Sequence, residues 1–405
     1  MIERSGDEAS RKTSGAKSLI NRREFLGTGA ATAGVLGLAG CLGEDRPEIS
    51  LITASGAYNH EETRAAIREA ADVDLTVSSS SSSRIRDLWE AGDRLDDWDV
   101  AIVDERHARD IIDGGHMAST DDLSHLDDMR PLFEEYMNTE LVRNGDIHGI
   151  PIDLDWHSYG YDNRELDGHS HSWSTLFSEE VDGVDLRELI AMSDNHWVSI
   201  VAIANYLGFF DSLNEEPIEF TEDEVDQIYD TAMEQQDLLH SYVDHEFRGW
   251  AHEADEAYVV LLNFSRILEF QSRWGVSWPS PATPETTVVE FNVALVSSES
   301  DELEGARDTA DALAGPLVGA GVGKYGSRIG ASENVDEHLD EFINEDAAQH
   351  EIGFETEGAD LIRDVELPEF DTIIPRRTVE DDHDDYLEDL WDDEIMADFV
   401  SPWAV

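Results

Sequence analysis

The sequence contains almost no cysteine, almost no lysine and no long apolar run in its main part. Cys41 is the single cysteine, so the chain cannot build an internal disulfide framework and depends on packing for its cohesion. Lysine occurs only at Lys12, Lys17 and Lys324, and 27 basic residues stand against 92 acidic ones. Because nucleic-acid binding needs basic patches for the phosphates, we exclude nucleic acid as a partner. After Cys41 no stretch has the roughly 20 apolar residues of a membrane-spanning helix.

The formal net charge of −65 is the strongest signal in the composition. Self-repulsion on this scale destabilises a compact fold at ordinary ionic strength. In molar salt the Debye length falls to about 3 Å and the repulsion is screened. The composition therefore predicts a protein of an extreme halophile that is exposed to brine. Since the acidity is spread over the whole chain, it says little about the charge of a ligand.

The N-terminal region, residues 1–41, carries two motifs in succession. The pair Arg22-Arg23 precedes Phe25 and Leu26, and an apolar run rich in glycine and alanine then ends at Cys41. This region resembles a twin-arginine export signal that ends in a lipoprotein lipobox. The resemblance implies export by the twin-arginine translocase and a lipid on the Cys41 thiol that anchors the chain at the extracytoplasmic face of the membrane. An ordinary N-terminal hydrophobic helix is the alternative interpretation.

Strand and helix patterns alternate after this region. Ile49–Thr53, Val73–Val77 and Trp98–Val103 have strand patterns, and the third is nearly all apolar, which is typical of a strand buried on both faces of a parallel sheet. Segments with helical spacing separate them, so the pattern predicts α/β layers. Thr221–His240 is predicted as one long amphipathic helix with a capping box. The very acidic segment after Thr378 keeps apolar residues at helical spacing, which predicts a last helix that docks on the fold.

Five stretches occur in an informative order along the chain. They are WDVAIVDERHARDIIDGGHMASTDDLSHLDDM, GDIHGIPIDLDWHSYGYDN, SWSTLF, LRELIAMSDNHWVSIVAIANYLGFFDSLN and DDYLEDLWDDEI. In order and spacing they resemble an extracellular solute-binding protein of an ABC importer, from the spermidine/putrescine-binding group. The resemblance covers nearly the whole chain after the export region, and each motif in it is loose.

The resemblance implies an α/β fold of the two-lobed, type II periplasmic-binding-protein-like class. Each lobe would be a mixed sheet flanked by helices, with crossing strands between the lobes and the solute in a cleft that closes by a hinge. The implied partners are a small-molecule solute and an ABC permease in the membrane, and the implied protein is a monomer without cofactor or enzymatic activity. The predicted segments are the export signal 1–41, a linker 42–47, lobe I 48–152, lobe II 153–285, a return to lobe I 286–365 and an acidic C-terminal segment 366–405.

The predicted binding residues follow from the rule that ligands of open α/β sheets lie at the carboxyl ends of the strands. Tyr58 follows the first strand, and Asp104 and Glu105 follow the third. The other predicted residues lie at the crossing segment: Asp153, Asp155, Trp156 and Tyr159. The resemblance adds Asn263 and Glu290. In polyamine binders aromatic rings stack on the methylene chain and carboxylates hold the ammonium groups, through cation–π attraction and charge-assisted hydrogen bonds. Asp155-Trp156 supplies both kinds of group; the alternatives are a tryptophan in the core beside a solvated aspartate, and a solvated helix start for Asp104 and Glu105.

Two positions depart from the family's pattern. Asp104-Glu105-Arg106 stands where the family has Ser/Thr-x-Tyr, so a stacking aromatic is lost and Arg106 brings a positive charge that could repel a diamine or pair with an anion. Around Glu290 the carboxylate is displaced by one position from the family's Trp-x-Asp, and one step along a strand reverses the face. A polyamine-like cation is the first candidate ligand, and these departures leave its identity open.

A metal-binding surface lipoprotein is one alternative. His148, His157, His169 and His171 lie close in sequence, and Asp381–Asp385 forms an acidic run around a histidine. Imidazole and carboxylate groups are suitable metal ligands. Polar loops and the acidic surface of a halophile explain the same residues, so the sequence predicts no metal site.

A lipid-anchored secreted enzyme is the second alternative. The sequence has no His-Glu-x-x-His and no Gly-x-Ser-x-Gly motif. The glycine-rich run before Lys324 departs from a phosphate loop, because Val318 replaces its first glycine and Tyr325 its serine or threonine. A solute receptor is therefore favoured over an enzyme.

Overall fold

The computed structural model describes residues 46–399, apart from 91–96, 244–256, 269–279, 283, 343–358, 360–361, 364, 366 and 398. All of these residues belong to the compact unit Arg46–Val405. The predicted export motif at Arg22 and Arg23 and the predicted lipid acceptor Cys41 lie outside the described residues. None of the helices within the described ranges has the length and apolar character needed to cross a bilayer.

The strands range from two-residue bridges to the twelve residues of β6. They are β1 Glu48–Thr53, β2 Asp74–Ser79, β3 Val100–Asp104, β4 Val142–Arg143, β5 Asp146–Ile147, β6 Ile150–Tyr161, β7 Glu180–Val181, β8 Val184–Asp185, β9 Ile190–Ser193, β10 Leu239–Val243, β11 Val259–Asn263, β12 Ser280–Pro281, β13 Thr287–Val296, β14 Ile329–Gly330 and β15 Ile373–Pro375.

The helices lie between these strands and after them. They are α1 Glu61–Ala71, α2 Ser82–Glu90, α3 Glu105–Asp113, α4 Pro131–Glu140, α5 His196–Leu207, α6 Phe210–Leu213, α7 Glu222–Gln235, α8 Leu303–Ala314, α9 Pro316–Gly326, α10 Asp336–Phe342 and α11 Asp381–Asp389. Leu390–Met396 continues α11 as a π-helix, and short 3₁₀ turns occur at Gly56–Asn59, Ser124–Asp128, Trp173–Phe177, Gln236–Leu238 and Phe370–Thr372.

One mixed sheet runs through the fold, in the order β10-β9-β11-β6-β13-β3-β1-β2. β1 is parallel to β2 and β3, whereas β13 is antiparallel to β3 and β6. β6 changes neighbour along its length: it pairs with β13 as far as Trp156, opposite Val289, and with β11 from His157, opposite Asn263. The strand therefore carries the chain from one half of the sheet into the other at Trp156-His157.

The third predicted strand and its helix show how the sequence positions polar groups. Val100 to Val103 are fully buried between β1 and β13, as the apolar run predicts. Asp104 ends the strand, and α3 begins at once with Glu105. The strand–helix junction therefore places two acidic residues at the carboxyl end of β3.

The helix predicted over Thr221–His240 is too long. The capping box is present, since Thr221 accepts from the Glu224 N–H and Glu224 accepts from the Thr221 N–H, but α7 ends at Gln235. Leu239–Val243 forms β10, parallel to β9, and both of its end residues are buried. Strand pairing in the sheet outweighs the helical periodicity of the sequence there.

The glycine-rich segment after Pro316 forms a helix, α9, with the proline at its first position. A Cβ on Gly330 would lie 2.7 Å from the Cα of Gly319, so α9 and β14 approach more closely than side chains allow. β14 in turn pairs with β6 at Leu154 and Asp153. This close approach places Arg328, which directly precedes β14, beside Asp153.

The buried apolar side chains form separate clusters. One surrounds β1, β3, β13 and the first half of β6, and the others surround β9, β11 and α5. The last helical segment packs in the cluster at α5 through Leu387, Trp391 and Ile395, and the Trp391 indole N–H donates to the Asp194 carbonyl at 3.1 Å. The predicted lobe boundaries near 152 and 285 stay a prediction.

Candidate functional site

Asp153 is a fully buried carboxylate at the middle of the sheet that three side chains hold. Its side chain is fully buried and accepts hydrogen bonds from the Tyr58 hydroxyl at 2.5 Å, the Asn292 amide at 2.8 Å and the Arg328 guanidinium. Burial alone would lower the pKa of Arg328, but the charges of Asp153, Asp155 and Glu290 raise it. Tyr58 and Asp153, predicted from two distant strands, are thus in direct contact.

Glu290 lies opposite Asp155 across the β6–β13 pair. It accepts from Arg376, and His157 Nε2 lies 3.6 Å from its Oε1. Burial would raise the pKa of Glu290, but Arg376 and His157 hold it well below its usual range. Because directly opposed residues share a face of the sheet, the one-residue displacement seen in the sequence still brings this carboxylate to the face of Asp155.

Asp104 and Glu105 differ sharply although they are adjacent. Asp104 is paired with Arg106 at 3.1 Å. Burial alone would raise the pKa of Asp104, but the charge of Arg106 and its hydrogen bond lower it below the ordinary value. Glu105 is 2 % exposed, and neither of its carboxylate oxygens has a hydrogen-bond partner in the described part of the chain. Burial, with the charges of Asp104 and Glu290, raises the pKa of Glu105 well above its ordinary value. The alternative of two solvated acids at a helix start does not describe Glu105.

Asp155 and Trp156, neighbours in sequence, point to opposite faces of β6. Asp155 is buried and accepts from the Ser265 N–H at 2.8 Å and the Ser265 hydroxyl at 2.5 Å, and burial raises its pKa. Trp156 is fully buried in the first apolar cluster and stacks on Phe264 with ring centroids 3.9 Å apart. Trp156 therefore lies in the core, which is the alternative interpretation given for it from the sequence. Its indole N–H has no hydrogen-bond partner among the described residues.

Tyr159 and Asn263 lie farther along the crossing. Tyr159 packs in the cluster around β9 and β11, and its hydroxyl donates to the Ser172 carbonyl at 3.1 Å, so it does not join the carboxylates. Asn263 is 7 % exposed and lies directly opposite His157 in the register of the antiparallel strands β11 and β6. Its side-chain oxygen finds no partner within the described ranges.

Three carboxylate–guanidinium pairs therefore meet where β3, β6 and β13 are adjacent in the sheet. We call them the inner network: Asp104–Arg106, Asp153–Arg328 and Glu290–Arg376. In and around it, the described residues with buried polar atoms that lack a hydrogen-bond partner are Glu105, His157, Asn263 and Arg376. Buried polar groups are normally paired, so each of these atoms has room for a further hydrogen bond from water or a ligand.

A second ion cluster lies at the outer side of α3 and α4. We call it the outer network: Arg109, Glu140, Glu216 and Arg377. Glu140 binds Arg109 at 2.9 Å and Arg377 at 3.0 Å, and Glu216 binds Arg109 at 3.3 Å. Its carboxylates are fully engaged, so it has the character of a structural ion cluster.

The histidines considered as metal ligands are dispersed or already engaged. His148 contacts the Met117 carbonyl, whereas His169 and His171 contact Tyr159 and Tyr161. In the Asp381–Asp385 run, the His383 ring accepts from the Phe220 N–H. Among the residues that the structure describes, no group of three or more histidine, cysteine or acidic side chains is arranged to hold a metal ion.

Sequence reasoning missed Arg328, Arg376 and Ser265. The two arginines come from segments 175 and 86 residues away from the carboxylates they bind. A usable signal exists, because basic residues are scarce in this chain and both arginines follow or precede apolar segments, in Ser-Arg-Ile-Gly and Ile-Ile-Pro-Arg. A rare cation beside an apolar run in an acidic protein indicates a buried ion pair.

Comparisons with solved structures identify the fold. The chain is similar to a spermidine/putrescine ABC transporter substrate-binding protein from Streptococcus pneumoniae, with TM-score 0.60 and 13% identity over 86% of this chain and 99% of that one. It is similar to an extracellular solute-binding protein from Bordetella parapertussis, with TM-score 0.59 and 13% identity over 87% and 100% of the two chains. A GABA receptor matches with TM-score 0.52 and 12% identity over 85% and 96%. No family model matches the sequence, and no curated protein does.

These likenesses confirm the predicted fold class. The mixed α/β sheet with flanking helices is of the type II periplasmic-binding-protein-like kind. At 12–13% identity they show the fold and leave ligand and partners open.

Proposed function

We propose that this protein is an extracytoplasmic solute-binding receptor that delivers a small solute to an ABC permease. The observation that carries the proposal is the inner network with its surrounding unpartnered polar atoms, at the place where β6 passes from one half of the sheet to the other. Ligand sites of α/β folds occur at such switch points. No chemistry on the solute is proposed, and the receptor acts as a monomer of two lobes that close on the ligand.

The proposal includes export and anchoring. The twin-arginine motif at Arg22 and Arg23 directs the folded chain out of the cell, and a lipid on Cys41 holds it at the membrane in brine. Mass spectrometry of the membrane-bound protein should find a lipid-modified N-terminal cysteine, and Cys41→Ser should move the protein from the membrane into the medium. Equal membrane retention of both forms would remove the anchor from the proposal.

The proposed binding residues divide into two groups. Three of them, Asp104, Asp153 and Glu290, belong to the inner network. The proposed site adds the neighbouring residues Tyr58, Glu105, Asp155 and Asn263. Trp156 and Tyr159 support it from the apolar clusters rather than contact the solute. Neighbours named for polyamines and for GABA share the fold, so the fold does not choose between a polyamine-like cation and a solute of another charge.

A thermal denaturation screen of the full-length protein in molar KCl tests the proposal. The panel contains polyamines, amino acids, sugars, carboxylates, phosphate and divalent metals, each compared with KCl of equal ionic strength. A solute at 100 times its Kd adds about 2.7 kcal/mol to the free energy of unfolding and clearly raises the melting temperature. If no solute raises it while an ester, peptide or glycoside is turned over, the protein is an enzyme and the receptor proposal fails.

A further inference from the structure

The inner network is balanced in charge before any solute enters. Its three carboxylates each face one guanidinium, in the pairs Asp104–Arg106, Asp153–Arg328 and Glu290–Arg376. Among the described residues two further carboxyls lie nearby, Glu105 and Asp155; each is 2 % exposed, and burial raises the pKa of both. The site thus differs from a cleft lined by carboxylates alone, because each carboxylate of the network is paired with a guanidinium.

Arg328 already occupies the Asp153 carboxylate, a group that an ammonium end of a diamine would need. It bridges the Asp153 carboxylate and the Glu290 backbone carbonyl, the latter at 2.5 Å. Since Asp153 has no exposed side-chain surface, a ligand amine reaches it only by displacing this arginine. Removing one partner of a buried ion pair is strongly unfavourable, so displacement is not expected.

The accessible surface of the network presents both signs. Among the arginines, Arg106 and Arg376 keep 30% and 22% of their side-chain surface exposed. Among the carboxylates, Asp104 and Glu290 keep 23% and 17%. A solute therefore meets a guanidinium and a carboxylate together in each of these two pairs.

We propose that the solute of this receptor is a small zwitterion, with its carboxylate held by Arg376 and Arg106 and its ammonium group held by Glu290 and Asp104. A zwitterion adds no net charge to a balanced site and gives each of its ends a partner of opposite sign. A diamine leaves one ammonium group facing arginine, and a dicarboxylate leaves one carboxylate facing glutamate or aspartate; both are disfavoured by like-charge contacts. This inference rests on the proposed receptor function and refines its substrate class.

Isothermal titration with compounds of matched length tests the charge class directly. The four-carbon set is putrescine, γ-aminobutyrate and succinate, which differ only in their end groups. The two-carbon set is ethylenediamine, glycine and oxalate, and the three-carbon set is 1,3-diaminopropane, β-alanine and malonate. The full-length protein is titrated in molar KCl at constant ionic strength. In the set whose length fits the site, the zwitterion should bind at least about tenfold more tightly than the diamine and the dicarboxylate of the same set.

Two charge-removing variants assign the ends of the ligand. Arg376→Gln should weaken the zwitterion and the dicarboxylate but not the diamine, whereas Glu290→Gln should weaken the zwitterion and the diamine but not the dicarboxylate. Arg109→Gln in the outer network is the matched control and should leave all three affinities within about twofold. Melting curves report whether each variant folds. If a variant does not fold, the relative affinities of diamine, zwitterion and dicarboxylate for the wild-type protein still decide the charge class of the ligand.

The outcomes separate this inference from the proposed function. A diamine or a dicarboxylate as the tightest ligand overturns the zwitterion and leaves the receptor proposal standing. Binding by none of the nine compounds also overturns it, and the wider thermal screen then decides whether the protein is a receptor.

Discussion

The inner and outer networks are built from the same two kinds of side chain, yet they satisfy them differently. In the outer network Glu140 accepts from two arginines, and Glu216 accepts from Arg109 and from both the N–H and the hydroxyl of Thr378. The inner network lies beside a carboxyl, Glu105, whose oxygens lack hydrogen-bond partners in the described part of the chain, and beside an imidazole, His157, whose Nε2 is 3.6 Å from Glu290 Oε1. Neither outer carboxylate, Glu140 or Glu216, has a buried oxygen without a partner within the described residues.

Adjacent arginines illustrate this difference. Arg376 binds Glu290 in the inner network, whereas Arg377 binds Glu140 in the outer one. Both leave their Nε–H without a partner within the described ranges, so the arginines themselves are alike and the contrast lies in the carboxyl groups. The segment after β15 therefore couples the candidate site to the ion cluster on α3 and α4.

The largest effect on stability is expected from Arg328→Met. The substitution leaves the fully buried Asp153 without its guanidinium, which should lower the free energy of unfolding by about 3–5 kcal/mol. Urea denaturation in molar KCl measures it, and the double variant Arg328→Met/Asp153→Asn should recover part of the loss because the unpaired charge is gone. A loss below about 1 kcal/mol would mean that this pair is as weakly coupled as a surface pair.

Glu105→Gln should have a smaller and opposite effect. The folded chain holds the Glu105 proton to a higher pH than the unfolded chain, because burial raises the pKa of this carboxyl. Between the two pKa values the native state binds more protons, so the free energy of unfolding of the wild type falls as pH rises through that window and stays low above it. The glutamine of the variant does not titrate. Its free energy of unfolding should therefore equal that of the wild type in acid and exceed it by about 1–3 kcal/mol at neutral pH.

Parallel urea titrations of wild type and Glu105→Gln across this pH range measure the difference. Asp155, whose pKa is also raised, titrates in both proteins and cancels in the comparison. A constant difference between the two curves at every pH would show that folding does not shift the pKa of Glu105. A wild-type stability that rises with pH relative to the variant would show a lowered pKa, as for an ionised and paired carboxylate.

Arg109→Gln should have the smallest effect. Arg109 is 39% exposed, and Glu140 keeps Arg377 as a partner, so the loss should be about 0.2–1 kcal/mol and should shrink further as KCl is raised. Denaturation at low and high KCl measures both properties. If the loss in free energy of unfolding stays the same in molar KCl, salt does not screen the ion pairs of the outer network, and they behave like buried pairs.

The sequence predicted the backbone around the site better than the contacts within it. The apolar run of β3 predicted Asp104 and Glu105 at the carboxyl end of that strand, and the pattern around Asp153 predicted Asp153 and Asp155 on the crossing strand, because strand periodicity is local. The partners Arg328 and Arg376 were not predictable in the same way, since register and close approach, such as that of Gly319 to Gly330, are set by distant segments. The wrong end of the Thr221–His240 helix has the same origin, because β10 exists only through its pairing with β9.

The decisive measurement is the Kd of the solute that most raises the melting temperature, compared between Arg376→Gln and Arg377→Gln. The two variants remove the same charge from neighbouring positions, but only the first changes the inner network. If the inner network holds the solute, Arg376→Gln should bind it about tenfold or more weakly than wild type, and Arg377→Gln should stay within about threefold. Wild-type affinity in Arg376→Gln, with the loss confined to Arg377→Gln or absent from both, would contradict a solute site at the inner network.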